Sequence, residues 1–469
     1  MTNWETIIAP YKEALLADLQ GLLKIPSVKD PETASPSAPF GEGIQKALEY
    51  MLALGQRDGF IIKDIDHYAG HLEIGHGEKL LGILSHLDVV PADATKWQTD
   101  PFTPILKDGK LFARGALDDK GPTLMAYYAV KILKEQGYHF NQRIRLIYGT
   151  DEENDWQGVA HYFKKEDMPD FGIVPDGIFP MIYAEKGVAS LSFKKVVNSQ
   201  QLLKFHAGQA YNVVADLASA ELDFPENLQD AFETYLNENN LKGQWEKDES
   251  KQILTLYGKS AHAAGPSQGI NAGLYLVHFL NQLALDQNAK EFLAIVDNYF
   301  WQDTSGKKLG IFHQDKELGD TTLNTAFITL ENKQASIGIN WRYPASLSFD
   351  KTWSIFKTWA NQAKLDVSLI SHQKPSHAKT DSPEVQTLLN TYRKLTKDQT
   401  PPLAIGGITY GRVFDRGITF GPAFLGKKAT LHQPNEYIEL DDLWKALVIY
   451  LEALYLLATE EGSASLKSE

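Results

Sequence analysis

The chain of 469 residues contains no cysteine, so it has neither disulfides nor thiolates, and any metal it holds must be held by imidazole and carboxylate. Basic residues are in the minority: 46 Lys and Arg stand against 60 Asp and Glu, a formal charge of −14. That balance works against nucleic acid and anionic membrane surfaces, both of which draw on basic patches. No apolar run approaches the roughly 18 residues needed to cross a bilayer. The opening residues, MTNWETIIAPYKEALLADLQGLLKI, lack a basic leader, and Asp and Glu interrupt their apolar positions, so they do not read as a signal peptide. We therefore expect a cytoplasmic chain with no nucleic-acid or membrane partner. Low-complexity sequence is confined to a polar tail after Thr459.

What is present suits a well-packed protein. Apolar residues make up 43% of a chain too long for one core, which predicts two domains. Between residues 40 and 180, short apolar strands (Leu80–Leu84, Ile144–Tyr148, Ile173–Val174) alternate with helical patterns such as 120–136. Such alternation indicates βαβ units and a mostly parallel sheet with flanking helices. From 187 to 376 the texture becomes two-residue alternation mixed with helices at 270–286 and 350–364, an α+β insert with length for two lobes. After Pro375 the α/β style returns, with helices at 383–397 and 440–458. The predicted organisation is a split α/β domain, 1–186 and 377–469, interrupted by an inserted domain at 187–376.

Chemistry-bearing residues gather where strands end. The run Asp151-Glu152-Glu153-Asn154-Asp155 crowds carboxylates that either are all solvated or share a cation. Ser85-His86-Leu87-Asp88 follows the first buried strand and offers one ring nitrogen to a metal while a carboxylate orients the other. Arg114-Gly115-Ala116-Leu117-Asp118-Asp119-Lys120-Gly121 sets two Asp residues at a helix start, where they also suit capping. Val174-Pro175-Asp176-Gly177 is a turn signal first. Thr430-Leu431-His432-Gln433-Pro434-Asn435-Glu436 supplies a second imidazole. Singly, each has a plain structural explanation: hydrated loop, surface histidine, helix cap, turn. Together they offer two His and three carboxylates (Asp118, Glu153, Asp176), with Glu152 to spare. That inventory suits two cations that share one bridging carboxylate and one water. Glu152 would then take the proton of that water and deliver it to a leaving nitrogen.

These segments, with Gly258-Lys259-Ser260-Ala261-His262-Ala263-Ala264-Gly265-Pro266, occur in the order and approximate spacing of a known family. Over most of its length the chain resembles the dinuclear zinc peptidases related to aminoacylase and carboxypeptidase G. It looks most like their bacterial Xaa-His (carnosinase-like) dipeptidase branch. The resemblance implies a catalytic α/β domain, an inserted lid, and two Zn²⁺ ions, with Mn²⁺ or Co²⁺ as substitutes. It implies that Asp118 bridges the metals and precedes a cis peptide to Asp119. His86 and Asp176 would complete one metal, and Glu153 and His432 the other, with Asp88 behind His86. Glu152 would be the general acid/base, His262 an oxyanion stabiliser, and Asn212 and Arg342 substrate-binding positions, since an Arg fork binds a carboxylate bidentately.

One position departs from that branch. Ile408 stands in Gly406-Gly407-Ile408-Thr409-Tyr410 where a third glycine is usual, so a branched side chain could crowd the substrate's carboxyl end. The resemblance also bears on assembly: relatives with shorter lids pair, and the length of 187–376 leads us to expect a monomer acting on a small peptide. Two further readings stay open, an N-acyl-amino-acid deacylase or desuccinylase and a non-catalytic metal- or peptide-binding relative. There is no His-Glu-x-x-His and no Gly-x-Ser-x-Gly, which lowers single-zinc protease and serine hydrolase readings.

Overall fold

The computed structural model describes residues 2–248, 251–428 and 430–468. They form two compact units: Met1–Tyr183 with His377–Leu403 and Ile408–Glu469, and Ala184–Ser376 with Ala404–Gly407. Among the described residues no helix is long and apolar enough to cross a membrane.

The first unit is built on a sheet whose strand order begins Ile61–Ile65, Ala69–Ile74, Arg143–Gly149, Leu80–His86, Phe171–Val174, Gly417–Thr419. The last four of these run parallel, and the first two extend the sheet antiparallel. Leu80–His86 and Phe171–Val174 are buried at every position, as expected of central parallel strands covered on both faces. The sequence pattern predicts an amphipathic helix at 120–136. The observed helix, Lys120–Glu135, is buried continuously from Lys120 to Leu133, because the helices Lys12–Leu23 and Leu440–Ala458 pack on it from outside the sheet. Its polar groups are satisfied internally: Tyr127 Oη donates to the Leu54 carbonyl at 3.0 Å and Tyr128 Oη to Asp18 at 2.6 Å. The polar C-terminal segment is not a tail. Thr459 Oγ1 accepts the Gly462 amide at 3.0 Å and caps a helix, Glu460–Ser468.

Three glycines set the packing beneath the strand ends. Gly82, Gly172 and Gly417 lie side by side across adjacent parallel strands. Together they form a trough for the Phe414 ring. A Cβ on Gly172 would lie 2.0 Å from Phe414 Cδ2, and one on Gly82 would lie 3.1 Å from Phe414 Cε1.

The second unit carries one continuous antiparallel sheet of eight strands, in the order Lys242–Asp248, Lys251–Tyr257, Leu217–Leu222, Leu202–Ala207, Thr322–Glu331, Gln334–Tyr343, Gly187–Val196, Asp366–Gln373. Its halves join where Phe205, His206 and Ala207 pair with Leu330, Thr329 and Ile328. The helices Gln229–Glu238, Ala272–Gln282, Gln287–Phe300 and Phe349–Gln362 belong to this unit, and a single apolar core including Phe193, Leu276, Phe292 and Trp341 binds it together.

The trough yields the first prediction. Gly172→Ala forces a methyl against the Phe414 ring and should destabilise the protein by about 1–3 kcal/mol, the usual cost of overpacking. Equilibrium denaturant unfolding measures it, and an unchanged midpoint would mean that Phe414 moves aside freely.

Candidate metal centre

All the strand-end residues singled out in the sequence come together within the first unit. His86 ends the strand Leu80–His86, and Glu152 and Glu153 follow Arg143–Gly149. Asp176 follows Phe171–Val174, so three neighbouring parallel strands each deliver a ligand type at their carboxyl ends, where ligands bind in open α/β sheets. Asp118 arrives from the loop that opens the helix Lys120–Glu135, across a cis peptide to Asp119. His432 comes from the segment between Pro422–Ala423 and Tyr437–Glu439, in a left-handed conformation with φ 60°.

Asp118 lies at the middle of the cluster. Its Oδ1 is 3.0 Å from His86 Nε2, and its Oδ2 is 3.0 Å from His432 Nε2. His432 Nε2 also meets Glu153 Oε1 at 2.7 Å, and His86 Nε2 lies 3.9 Å from Asp176 Oδ2. Ligand atoms of His86, Asp118 and Glu153 all fall within 4.8 Å of one another. Around a divalent cation with bonds of roughly 2.0–2.2 Å to nitrogen and oxygen, tetrahedral donors lie about 3.4 Å apart, inside that limit. The donors are nitrogen and oxygen only, a borderline-hard set, so the residues present fit a divalent metal.

Asp88 stands behind His86, reaching it through its backbone carbonyl more closely than through its carboxylate. The Nδ1 of His86 lies 2.9 Å from the Asp88 carbonyl oxygen, which can only accept, so Nδ1 carries a hydrogen and Nε2, turned toward Asp118, is the nitrogen a cation would take. The Asp88 carboxylate sits 3.7 Å from Nδ1. Its two oxygens instead accept the backbone amides of Glu152 and Glu153, each at 3.0 Å. A carboxylate is a better partner for two parallel amides than a carbonyl, and the carbonyl suffices for the imidazole.

Two contributors were not apparent in the sequence. Lys29 binds Asp151 at 3.0 Å and Asp155 at 3.1 Å, so the outer members of the acidic run have a lysine as counter-charge. Glu436 is fully buried beside the Asp118 loop. Neither position stands out locally, because the partners of both lie far away in the chain.

Electrostatics follow from this crowding. Burial pushes Glu152, Glu153 and Asp119 above the ordinary carboxylate range, and neighbouring carboxylates add to the rise. Burial, aided by Asp118, pushes Asp176 up to about 7. Burial opposes charge on His432, yet hydrogen bonds to Asp118 and Glu153 push it up to about 11. His86 is likewise held well above its usual value by Asp118 against the effect of burial. Asp118 alone is held well below the carboxylate range, because both imidazoles serve it despite its burial.

The second unit groups the remaining candidates. Asn212 is exposed, and its carbonyl accepts the Ala263 amide at 2.9 Å, beside the bridge between Val213 and His262. The buried Arg342 donates from Nε to Asn340 Oδ1 at 3.1 Å and from Nη1 to the Gly406 carbonyl at 2.7 Å. Its Nη2 lies 3.4 Å from His262 Nε2, while the Ala264 amide lies 3.3 Å from His262 Nδ1. A neutral imidazole has one bare nitrogen, so only one of those two contacts is a hydrogen bond at a time.

A model of peptidase family M20/M25/M40 matches residues 82–456. The chain belongs to this family. A relative in Staphylococcus epidermidis, named "Putative dipeptidase", is 43% identical over 472 residues, spanning 98% of this chain and all of the relative. Human carnosine dipeptidase 1 shares the fold with a TM-score of 0.59 at 14% identity, covering 96% of this chain and 98% of its own. The yeast dipeptidase Dug1p of Saccharomyces cerevisiae aligns with a TM-score of 0.61 at 13% identity, covering 96% and 97%. As an M20-family member the protein is a peptide hydrolase that depends on a divalent metal, and metal-dependent dipeptidase activity fits the relatives and the donor set.

The raised values of His86 and His432 generate a pH prediction. Hydrogen bonds to carboxylates favour the protonated form of both imidazoles, and a cation would have to displace that proton to reach Nε2. Binding of a divalent cation at pH 7 should therefore release protons, and affinity should rise with pH. Titration calorimetry in two buffers of different ionisation enthalpy measures the release; identical heats in both would contradict it.

Proposed function

We propose that the protein hydrolyses unblocked dipeptides, β-alanyl dipeptides among them, and that two divalent cations occupy the centre, zinc with Mn²⁺ or Co²⁺ as substitutes. The observation that carries this reading is the placement of Asp118, whose two oxygens face different imidazoles at 3.0 Å each. A carboxylate so flanked suits a bridge. His86 and Asp176 would hold one cation, and Glu153 and His432 the other. Bound there, the ions supply Lewis acidity toward the scissile carbonyl and toward a water.

Proton transfer belongs to Glu152. Its carboxylate accepts no hydrogen bond from the described residues, its backbone is fixed by Asp88, and burial raises its proton affinity. It takes a proton from the attacking water as the carbon–oxygen bond forms. It then gives that proton to the amine nitrogen as the carbon–nitrogen bond breaks, and ends the cycle ionised again. For the second unit the proposal assigns Arg342 and Asn212 to a substrate carboxylate and His262 to the developing oxyanion, supported by their grouping there and by the fork geometry of Arg. The name of the staphylococcal relative supports a dipeptide substrate.

Glu152→Ala should keep its metal content and lose kcat by about 10²–10⁴-fold, the range for a removed general acid/base. Metal analysis and turnover on a panel of dipeptides, β-alanyl dipeptides, tripeptides and N-acyl or N-succinyl amino acids check both role and substrate. Near-normal turnover would remove Glu152 from the mechanism, and preference for the acyl substrates would make the enzyme a deacylase. We also propose that the protein acts as a monomer, because the second unit completes an eight-stranded sheet within one chain. Light scattering should give the mass of one chain; a dimer whose activity falls on dilution would reject this.

A further inference from the structure

We propose that Glu436 is a positioning residue that locks the loop bearing Asp118 to the loop bearing His432; this rests on the metal reading above. Glu436 is fully buried, and the Arg114 beside it nearly so. The Oε1 of Glu436 accepts the backbone amides of Leu117 at 2.9 Å and of Asp118 at 3.2 Å. Its Oε2 accepts from Arg114 Nη1 at 2.6 Å. Its own carbonyl accepts the Ala113 amide at 3.1 Å, so side chain and backbone grip the same loop.

The amides it holds are those leading directly into the bridging residue, and fixing them fixes where the Asp118 carboxylate points. The other end of the clamp is equally well placed. Between His432 and Glu436 the chain turns through two left-handed residues, His432 and Asn435. Asn435 Oδ1 accepts the Gln98 amide at 2.8 Å, and Tyr437 then pairs with Phe112. The position of His432 is thus set from Glu436 backward. Arg114 completes the arrangement, with its guanidinium 5.3 Å from the Trp97 ring centre and its amide bound to the Pro101 carbonyl at 2.8 Å. An ordinary buried ion pair needs none of the amide contacts. Here one carboxylate ties two ligand-bearing loops, and outer partners of this kind tune metal affinity by about 10–100-fold.

The test uses the full chain with Glu436→Gln and Glu436→Ala. Zinc affinity is read by competition with a chromophoric chelator well below the melting temperature, and kcat and KM are read at saturating zinc. In E436Q the amide can face its oxygen to the backbone pair or to Arg114, not to both. We expect zinc binding weakened by about 10–100-fold and kcat lowered with KM unchanged, and a larger loss in E436A. If E436A fails to fold, E436Q alone decides. Wild-type zinc affinity and kcat in E436Q, with only the melting temperature lowered, would make Glu436 a purely structural residue and overturn the proposal. Asp118→Asn separates the two readings: zinc affinity lost in D118N but kept in E436Q rejects the clamp alone, whereas affinity kept in D118N rejects the metal centre itself.

Discussion

Mutual repulsion among carboxylates at the strand ends is the constraint around which the first unit is arranged. Asp118, Asp119, Glu152, Glu153 and Asp176 share a small volume with two imidazoles. Two like charges about 4 Å apart repel by about 4 kcal/mol at an effective dielectric constant near 20. The groups respond unequally. Asp118 stays ionised because His86 and His432 flank it, while burial raises Asp119, Glu152, Glu153 and Asp176. Such a set resists being assembled unless positive charge comes with it, and under the proposed function divalent cations supply that charge.

Holding the set in place falls to a second layer of acids. Asp88 accepts the amides of Glu152 and Glu153, and Glu436 accepts those of Leu117 and Asp118. Asp151 accepts the Gln157 amide at 3.0 Å and binds Lys29, so the turn after Arg143–Gly149 is anchored from within. Each uses carboxylate oxygens to satisfy peptide N–H groups that a tight, buried loop could not otherwise pair. Beneath the strand ends, the trough formed by Gly82, Gly172 and Gly417 admits Phe414 against the sheet.

Much of this was readable from the sequence, for a physical reason. Buried parallel strands are continuous apolar runs, and a ligand just beyond such a run must emerge at the strand's carboxyl end; that placed His86, Glu153 and Asp176 correctly relative to their strands. What failed to show were partners set by tertiary contact. Lys29 meets Asp151 across the fold, and no local pattern marks it. Glu436 drew no reading of its own from the sequence, because Arg114 and the two amides that hold it come from a distant segment. The helix Lys120–Glu135 keeps an amphipathic pattern although it is enclosed, since its polar side chains find partners inside. Thr459 heads a helix that composition alone assigned to a tail.

The adjacent acids Glu152 and Glu153 illustrate how the layers combine. Their backbones are nearly equivalent, since one carboxylate, Asp88, accepts both amides at the same 3.0 Å. Their side chains are not. Glu153 is engaged by His432 at 2.7 Å, whereas Glu152 has only its main chain tied, its carbonyl accepting from Trp156 Nε1 at 2.6 Å. Identical residues at neighbouring positions thus acquire different chemistry from what stands opposite them. His432 bonds Glu153 directly, whereas burial raises the Glu152 carboxyl with the His86 charge opposing the rise, and under the proposed function that leaves Glu152 to take and return a proton. Fixing both from a single side chain holds the two carboxylates at constant places beside each other, as the proposed proton transfer would require, since a general base depends first on geometry.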